Sequence, residues 1–363
     1  MTTQVSNLLQ RLPLDLDTQV LGEVRNHIGH LILNRPAGLN AITLDMVRAL
    51  RGYLDAWALD PHIHAVVLRG AGDRGFCAGG DIRSLYHSHR DGDALHEVFF
   101  TEEYELDQCL HQYRKPVLAL LDGYTLGGGM GLGQAAELRV VTERSRLGMP
   151  EVGIGYFPDV GASYFLSRIP GELGTYLGVT GVQIEAADAL YCGLADWYLD
   201  SARLAELDER LNRLQWTDNA LKDLQGVLAR LGVQTLPDAP MHRLRPAIDH
   251  FFGQPDIASM IEQLEEVNVA DSQAWAQDTA RLMRTRSPLA MAVSLQLLRR
   301  GRHTSLDDCF AMELHLNRQW FDQGDLLEGV RALLIDKDKN PRWNPPTLDR
   351  LPRARVEQFF QGL

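Results

Sequence analysis

Twice between residues 64 and 138 a short apolar run ends in a glycine-rich turn and then passes into a segment with helical spacing. The first is "HAVVLRG" followed by "AGDRGFCAGGD"; the second is "KPVLALLDG" followed by "YTLGGGMGLGQAAEL". Short continuous apolar runs bounded by turn residues read as buried strands, and strands that alternate with helices give an α/β plan with helices packed against a sheet. The neighbouring segments agree. Residues 17 to 36 alternate like a hairpin, with "TQVLGEVR" and "IGHLILNRP" joined at Asn26-His27. From Thr43, "TLDMVRALRGYLDAWAL" has apolar residues at helical spacing, with Thr43 as N-cap and Asp45 in the first turn. A long helix is expected from about Leu95 to Tyr113, and "RVVTE" returns as strand.

After about residue 200 the pattern becomes mostly helical, in "DIASMIEQLEEV", "AWAQDTARLMRTR", "LAMAVSLQLLRRG" and "DDCFAMELHLNRQWF", punctuated by prolines at 237, 240, 255 and 288. The 363 residues are therefore expected to divide into an α/β catalytic core over 1–205 and a helical C-terminal region over 206–363. A formal charge of −12 argues against nucleic acid as the main partner, because phosphate binding wants a basic face. Cysteines 77, 109, 192 and 309 form no CxxC pair and read as reduced thiols. The twelve histidines show no metal-ligand spacing, so no metal is expected. The first residues lack a basic start with a long apolar run, and no stretch of 18 apolar residues exists. A cytoplasmic protein without a membrane partner is the expectation.

The chemistry centres on "MPEVGIGYFPDVGASYF", residues 149 to 165, where Glu151 and Asp159 stand among apolar residues and glycines. Burying an unpaired carboxylate costs several kcal/mol, so either both acids face water or at least one has work to do. The two glycine turns are candidate anion cradles, since the first N–H groups of a helix lack internal partners and carry partial positive charge. Several plainer readings compete. Glu151 could pair with Arg146 or Arg168, and Asp159 could cap a helix before "VGASYFL". Glu103 and Glu102 could belong to a solvated helix face. "GLGQAA", residues 131 to 136, matches G-x-G-x-x-A and raises a dinucleotide site, although the turn begins too far past its strand. Cys77 reads as a packed thiol. The basic stretches at 282–286 and 297–302 are either solvated helix faces or contacts for phosphates.

"NRPAGLNAIT", "GFCAGGDI", "DGYTLGGGMGLG" and "MPEVGIGYFPDVGASYFLSRIPG", in this order, resemble the crotonase superfamily, the enoyl-CoA hydratase and isomerase group. With "EGVRALLIDKDKNPRWNPPTL" the resemblance covers most of the chain and is strongest to the branch that hydrolyses 3-hydroxyisobutyryl-CoA. It implies a crotonase-like spiral of ββα units with a helical C-terminal region. It also implies an acyl-CoA substrate, no separate cofactor, and an oxyanion hole made by the N–H groups of Gly80 and Gly128. The second acidic position of the family falls on Glu151. Its first falls on Gly131, so a hydratase would lack one of its two acids. Asp159 stands where hydratases usually carry an uncharged residue, and Glu103 matches a substrate-contacting acid of the hydrolase.

The resemblance therefore implies hydrolysis of a short-chain acyl-CoA thioester, with 3-hydroxyisobutyryl-CoA of valine catabolism as the expected substrate. Glu151 would be nucleophile or general base, and Asp159 would position a water or the substrate hydroxyl. A hydratase or isomerase on the same scaffold, a non-catalytic acyl-CoA-binding protein and a nicotinamide dehydrogenase are the rivals. Members of the family assemble variously, so a homo-oligomer stays open.

Overall fold

The computed structural model describes residues 18–232, 238–267 and 270–363. Its strands are β1 (Val20–Arg25), β2 (Ile28–Leu33), β3 (Ala65–Gly70), β4 (Gly75–Cys77), β5 (Val117–Leu121), β6 (Tyr124–Leu126), β7 (Leu138–Val141), β8 (Arg146–Gly148) and β9 (Trp197–Tyr198). β1 and β2 form the hairpin, and Asn26 and His27 both take positive φ at its turn, as a tight two-residue connection requires. From β2 onward every pairing is parallel. The order β1-β2-β3-β5-β7-β9 makes one six-stranded sheet, and β4-β6-β8 makes a second of three strands. Each repeat therefore places its first strand in the large sheet and its second in the small one before a helix returns the chain. That alternation is the expected spiral of ββα units.

The helices that position the site start as the sequence suggests. α1 (Leu44–Leu59) is capped by Thr43, whose side chain accepts the Met46 N–H, and α2 (Ile82–Asp91) by Asp81, which accepts from Ser84. α3 (Leu95–His111) follows, then α4 (Gly128–Gln134), whose residues are all buried. Successive residues of the large sheet face opposite ways. Val66, Leu68, Ala119, Leu121 and Val141 join Phe76, Cys77 and Leu147 of the small sheet in one core. Ala65, Val67, Leu118, Leu120 and Val140 face the other way, under Leu207, Leu211, Val227 and Leu228 of the helices Leu204–Asn212 and Ala220–Leu231. Each buried Val, Leu or Phe among them contributes roughly 1.5–3 kcal/mol by leaving water. Later helices pack elsewhere: Leu306–Gln323 lies on α3, and Pro288–Gly301 on the helix Leu173–Thr180. Among the described residues, no helix is long and apolar enough to cross a membrane.

Candidate active site

In the small sheet Cys77 stands opposite Thr125, and Thr125 opposite Leu147. The register of this pair shifts between Gly75 and Cys77, and both strands leave the sheet on the same side just after the Cys77–Thr125 match. Three residues past Cys77 is Gly80, and three past Thr125 is Gly128. A Cβ built on Gly128 would stand 3.5 Å from the Gly80 nitrogen, which puts the two backbone amides next to each other. Gly128 opens α4, where the first N–H groups have no intrahelical acceptor. Near Gly80 the Ile42 N–H donates to Gly79 O and the Asp81 N–H to Ile42 O, both at 2.8 Å, so the Gly80 N–H points away from that bridge. Gly79 and Gly127 take φ of 96° and 51°, conformations that glycine adopts without strain.

Acids flank this cradle. Glu151 lies four residues past Leu147, at the start of the turn Glu151–Ile154, and a Cβ on Gly127 would come within 2.6 Å of its Oε1. Glu103 of α3 closes another side, 2.5 Å from where a Gly128 Cβ would sit. One turn along α3, Asp107 points the same way; its Oδ2 would be 2.6 Å from a Cβ on Gly131. Asp159 accepts the Tyr104 hydroxyl at 2.7 Å. A cavity of about 180 Å³ adjoins the cradle, sharing Ile42 with Gly128 and Phe99 with Gly80. A larger cavity of about 580 Å³ lies among the C-terminal helices and shares no residue with this constellation. Its arginines are engaged, Arg299 with Gln254 O and Pro255 O and Arg353 with Glu357, which leaves little to orient a polar substrate.

Glu103, Asp107, Glu151, Asp159 and Glu313 are all buried, and no cation is among the groups that set their proton affinity. Loss of water is the main cause in each case, raising Glu103, Asp107 and Glu151 well above the usual carboxylate range. Charge from Asp159 adds to all three. Asp159 itself is pushed up to about 7 by burial, with the Tyr104 hydroxyl pulling the other way. Glu313 reaches about 8 for the same reason, against donors from Gly161 and Ser163. Glu103 Oε1, both Asp107 oxygens and Glu151 Oε2 have no hydrogen-bond partner within the protein. Buried orphans of this kind mark catalytic groups or ordered-water sites. Two adjacent backbone donors beside unpaired acids form an arrangement able to polarise a carbonyl and to move a proton next to it.

The plainer readings of Glu151, Asp159 and Glu103 do not hold, whereas that of Cys77 as a packed thiol does. Arg146 pairs with Glu185, and Arg168 donates to Tyr164 O, Gly301 O and Thr304 O, so neither neutralises Glu151. The residue preceding the helix Ala162–Phe165 is Gly161, with no side-chain cap, so Asp159 does not serve there. Glu102 takes Arg48 on the outer side of α3, while Glu103 turns inward. Gly131 packs against Asp107 and Val160, which leaves no room at "GLGQAA" for a pyrophosphate. Cys77 is buried and its thiol is pushed up to about 12 by burial. In the basic stretches Arg284 pairs with Glu265, Arg302 with Glu172, and Arg286 donates to Thr180 O. Asp107 and Glu313 were not among the expected site residues. Asp107 was within reach, since it stands four positions after Glu103 on one helix face.

Comparison with known proteins gives concordant results. The enoyl-CoA hydratase/isomerase family matches residues 28–360. A mitochondrial 3-hydroxyisobutyryl-CoA hydrolase of Danio rerio is 36% identical over 95% of this chain and 90% of its own. Small ribosomal subunit protein mS47 of Arabidopsis thaliana is also 36% identical, over 95% of this chain and 85% of its own. A crystal structure described as a carnitinyl-CoA dehydratase from Mycobacterium thermoresistibile superposes with a TM-score of 0.88 at 36% identity, covering 96% and 97% of the two chains. The expected cytoplasmic location is overturned. Hydrolases of the same name from Rattus norvegicus and Homo sapiens, at 35% and 34% identity, are mitochondrial as well. The cytoplasmic expectation rested on reduced thiols and a missing leader pattern; such thiols suit any reducing compartment.

Proposed function

Since the chain belongs to the enoyl-CoA hydratase/isomerase family, we propose that it hydrolyses 3-hydroxyisobutyryl-CoA to 3-hydroxyisobutyrate and free CoA, a step of valine catabolism. The observation that carries the mechanism is the pair of adjacent glycine amides flanked by unpaired buried acids. The thioester oxygen rests on the Gly80 and Gly128 N–H groups as an oxyanion hole. Each donor is worth roughly 3 kcal/mol to a tetrahedral transition state. Water adds its oxygen to the carbonyl carbon and gives its proton to Glu151; the C–S bond then breaks, and the sulfur takes a proton from the buried carboxyls. In the covalent version Glu151 itself bonds to the carbonyl carbon, CoA leaves, and water cleaves the anhydride. Glu103, against Gly128, contacts the acyl part. Asp159, close to half-protonated at neutral pH, positions the water or the substrate hydroxyl.

Hydration of a double bond is the second reading, supported by the dehydratase likeness. Against it stands Gly131, where a second carboxylate would have to sit and where Asp107 and Val160 already fill the space. A scaffold role is the third, supported by the likeness to a ribosomal protein. One experiment separates them. Thiol release from 3-hydroxyisobutyryl-CoA supports hydrolysis, loss of enoyl absorbance from crotonyl-CoA supports hydration, and CoA-ester binding without either supports the scaffold. Repeated turnover in oxygen-18 water, followed by mass analysis of the peptide holding Glu151, supports the covalent route if label appears there.

A further inference from the structure

Val160, directly after Asp159, has a φ of 53°. A β-branched residue rarely takes the left-handed region, and one that does must be held there by its surroundings. The holding contacts come from the helix Leu306–Gln323, about 150 residues later in the chain. Glu313 Oε2 accepts the Gly161 N–H at 2.7 Å, and its Oε1 accepts the Ser163 N–H at 2.9 Å and the Ser163 hydroxyl at 2.5 Å. Positions on the same face of that helix hold the rest of the loop. Phe310 lies under Gly161, the Asn317 amide donates to the Tyr156 hydroxyl at 2.5 Å, and the Trp320 indole N–H donates to Gly155 O at 2.8 Å. The Glu313 carboxylate thus grips the chain just beyond Val160, while Asp159 is drawn to Tyr104 just before it.

We infer that Glu313 is a positioning residue for Asp159: by accepting the Gly161 and Ser163 donors it fixes Val160 in the left-handed backbone that turns the Asp159 carboxylate toward Tyr104 and the glycine cradle. This makes the C-terminal helix part of the machinery without touching substrate. The inference rests on the hydrolytic reading only in assuming that Asp159 takes part in turnover. Glutamine at 313 is a sharp perturbation of similar shape. It keeps one acceptor oxygen but turns an NH₂ donor toward an N–H donor, so one side of the grip is lost.

The test is steady-state thiol release from 3-hydroxyisobutyryl-CoA with Glu313→Gln, Val160→Gly, their double variant, and Asp159→Asn with and without Glu313→Gln. Glu313→Gln is expected to lower kcat about 10- to 100-fold with little change in KM, the cost of a misplaced catalytic group. Val160→Gly in the Glu313→Gln background should recover much of that loss, because glycine holds a positive φ without help. In the Asp159→Asn background Glu313→Gln should cost nothing further. Unchanged kcat in folded Glu313→Gln, an equal loss with Asn at 159, or no recovery by Val160→Gly would each overturn the inference. A crystal structure of Glu313→Gln gives a readout independent of activity: Val160 leaving the left-handed region supports the grip, and an unmoved loop refutes it. If Asp159→Asn keeps full kcat while the loop moves in Glu313→Gln, the role given to Asp159 fails and the grip stands.

Discussion

Asp159 should make this protein less stable as pH rises through neutrality. Its carboxyl has a folded pKa of about 7 against a usual 3.8, because burial removes the water that would solvate its charge. The sign follows from proton binding. Between those values the folded chain holds a proton at this site that the unfolded chain has released, so raising the pH favours unfolding. The stabilisation is complete below the unfolded value and is lost as pH passes through the folded one. One such proton gives a slope of about −1.4 kcal/mol per pH unit, and the span from 3.8 to about 7 makes the total on the order of 4 kcal/mol. Asp159→Asn removes the titration while keeping an acceptor for the Tyr104 hydroxyl. It also removes charge that raises Glu103, Asp107 and Glu151, so their contribution to the slope shrinks in the same direction. Urea unfolding at fixed temperature from pH 5 to 8 reads the difference. The wild type should lose stability relative to Asp159→Asn across that window. Parallel curves throughout would mean that Asp159 is either solvated or charge-paired, and the picture of an uncompensated acid cluster would fall.

Three further substitutions probe the cradle. Glu151→Gln should lower turnover by about 10²- to 10⁴-fold while acyl-CoA binding persists by calorimetry, and near-normal thiol release would remove Glu151 from the mechanism. Gly128→Pro deletes one donor and also sets a Cβ 2.5 Å from Glu103 Oε1, so it should reduce kcat by about 10²-fold or more and weaken acyl-CoA binding with it; near-normal thiol release would remove the Gly128 N–H from the mechanism. Gly131→Ala places a methyl 2.6 Å from Asp107 Oδ2 and 2.7 Å from Val160 Cβ. It should cost about 1–3 kcal/mol in chemical unfolding. Asp107→Ala should recover part of that loss, and strictly additive costs would show that the contact is not the cause.

What could be read along the chain was local. A strand, a glycine turn and a capped helix are specified within about fifteen residues, and Thr43, Asp81 and the Asn26-His27 turn all stand where such signals place them. The meeting of Gly80 and Gly128 needs the two strands to lie side by side, and the register shift between Gly75 and Cys77 keeps it from being counted off along the chain. Contacts set by tertiary packing were illegible. An amphipathic pattern declares that a helix has an apolar face but not which surface receives it. The helices Leu204–Asn212 and Ala220–Leu231 therefore gave no hint that they cover the back of the large sheet. Glu313 reads as one more acid on a C-terminal helix until Gly161 and Ser163 are brought to it. Asp159 before a short helix invites a capping role, and the left-handed Val160 that follows it is what removes that option.

The distribution of acids bears on which reaction this scaffold favours. Hydration moves a hydroxyl and a proton onto neighbouring carbons and needs two carboxyls poised on one substrate face. Thioester hydrolysis instead expels a sulfur anion and develops charge on an oxygen beside it, in a site that here offers no cation. The buried carboxyls of Glu103, Asp107, Glu151 and Asp159 stand without counter-charge and cannot all be ionised together, so this cluster holds protons at neutral pH. A store of that kind suits a departing thiolate, which takes up one proton without leaving an extra charge in the cavity. Glu151, against the cradle, then needs only to be the member that is ionised when substrate binds. On the proposed reading the Gly80 and Gly128 donors would assist that choice only indirectly, because they would stabilise the thioester oxygen and not the acid. On the hydrolytic reading proposed above, an acyl group lying over Gly128 would take the remaining water from Glu103, which burial already holds well above the usual carboxylate range, and so would favour Glu151 as the ionised member.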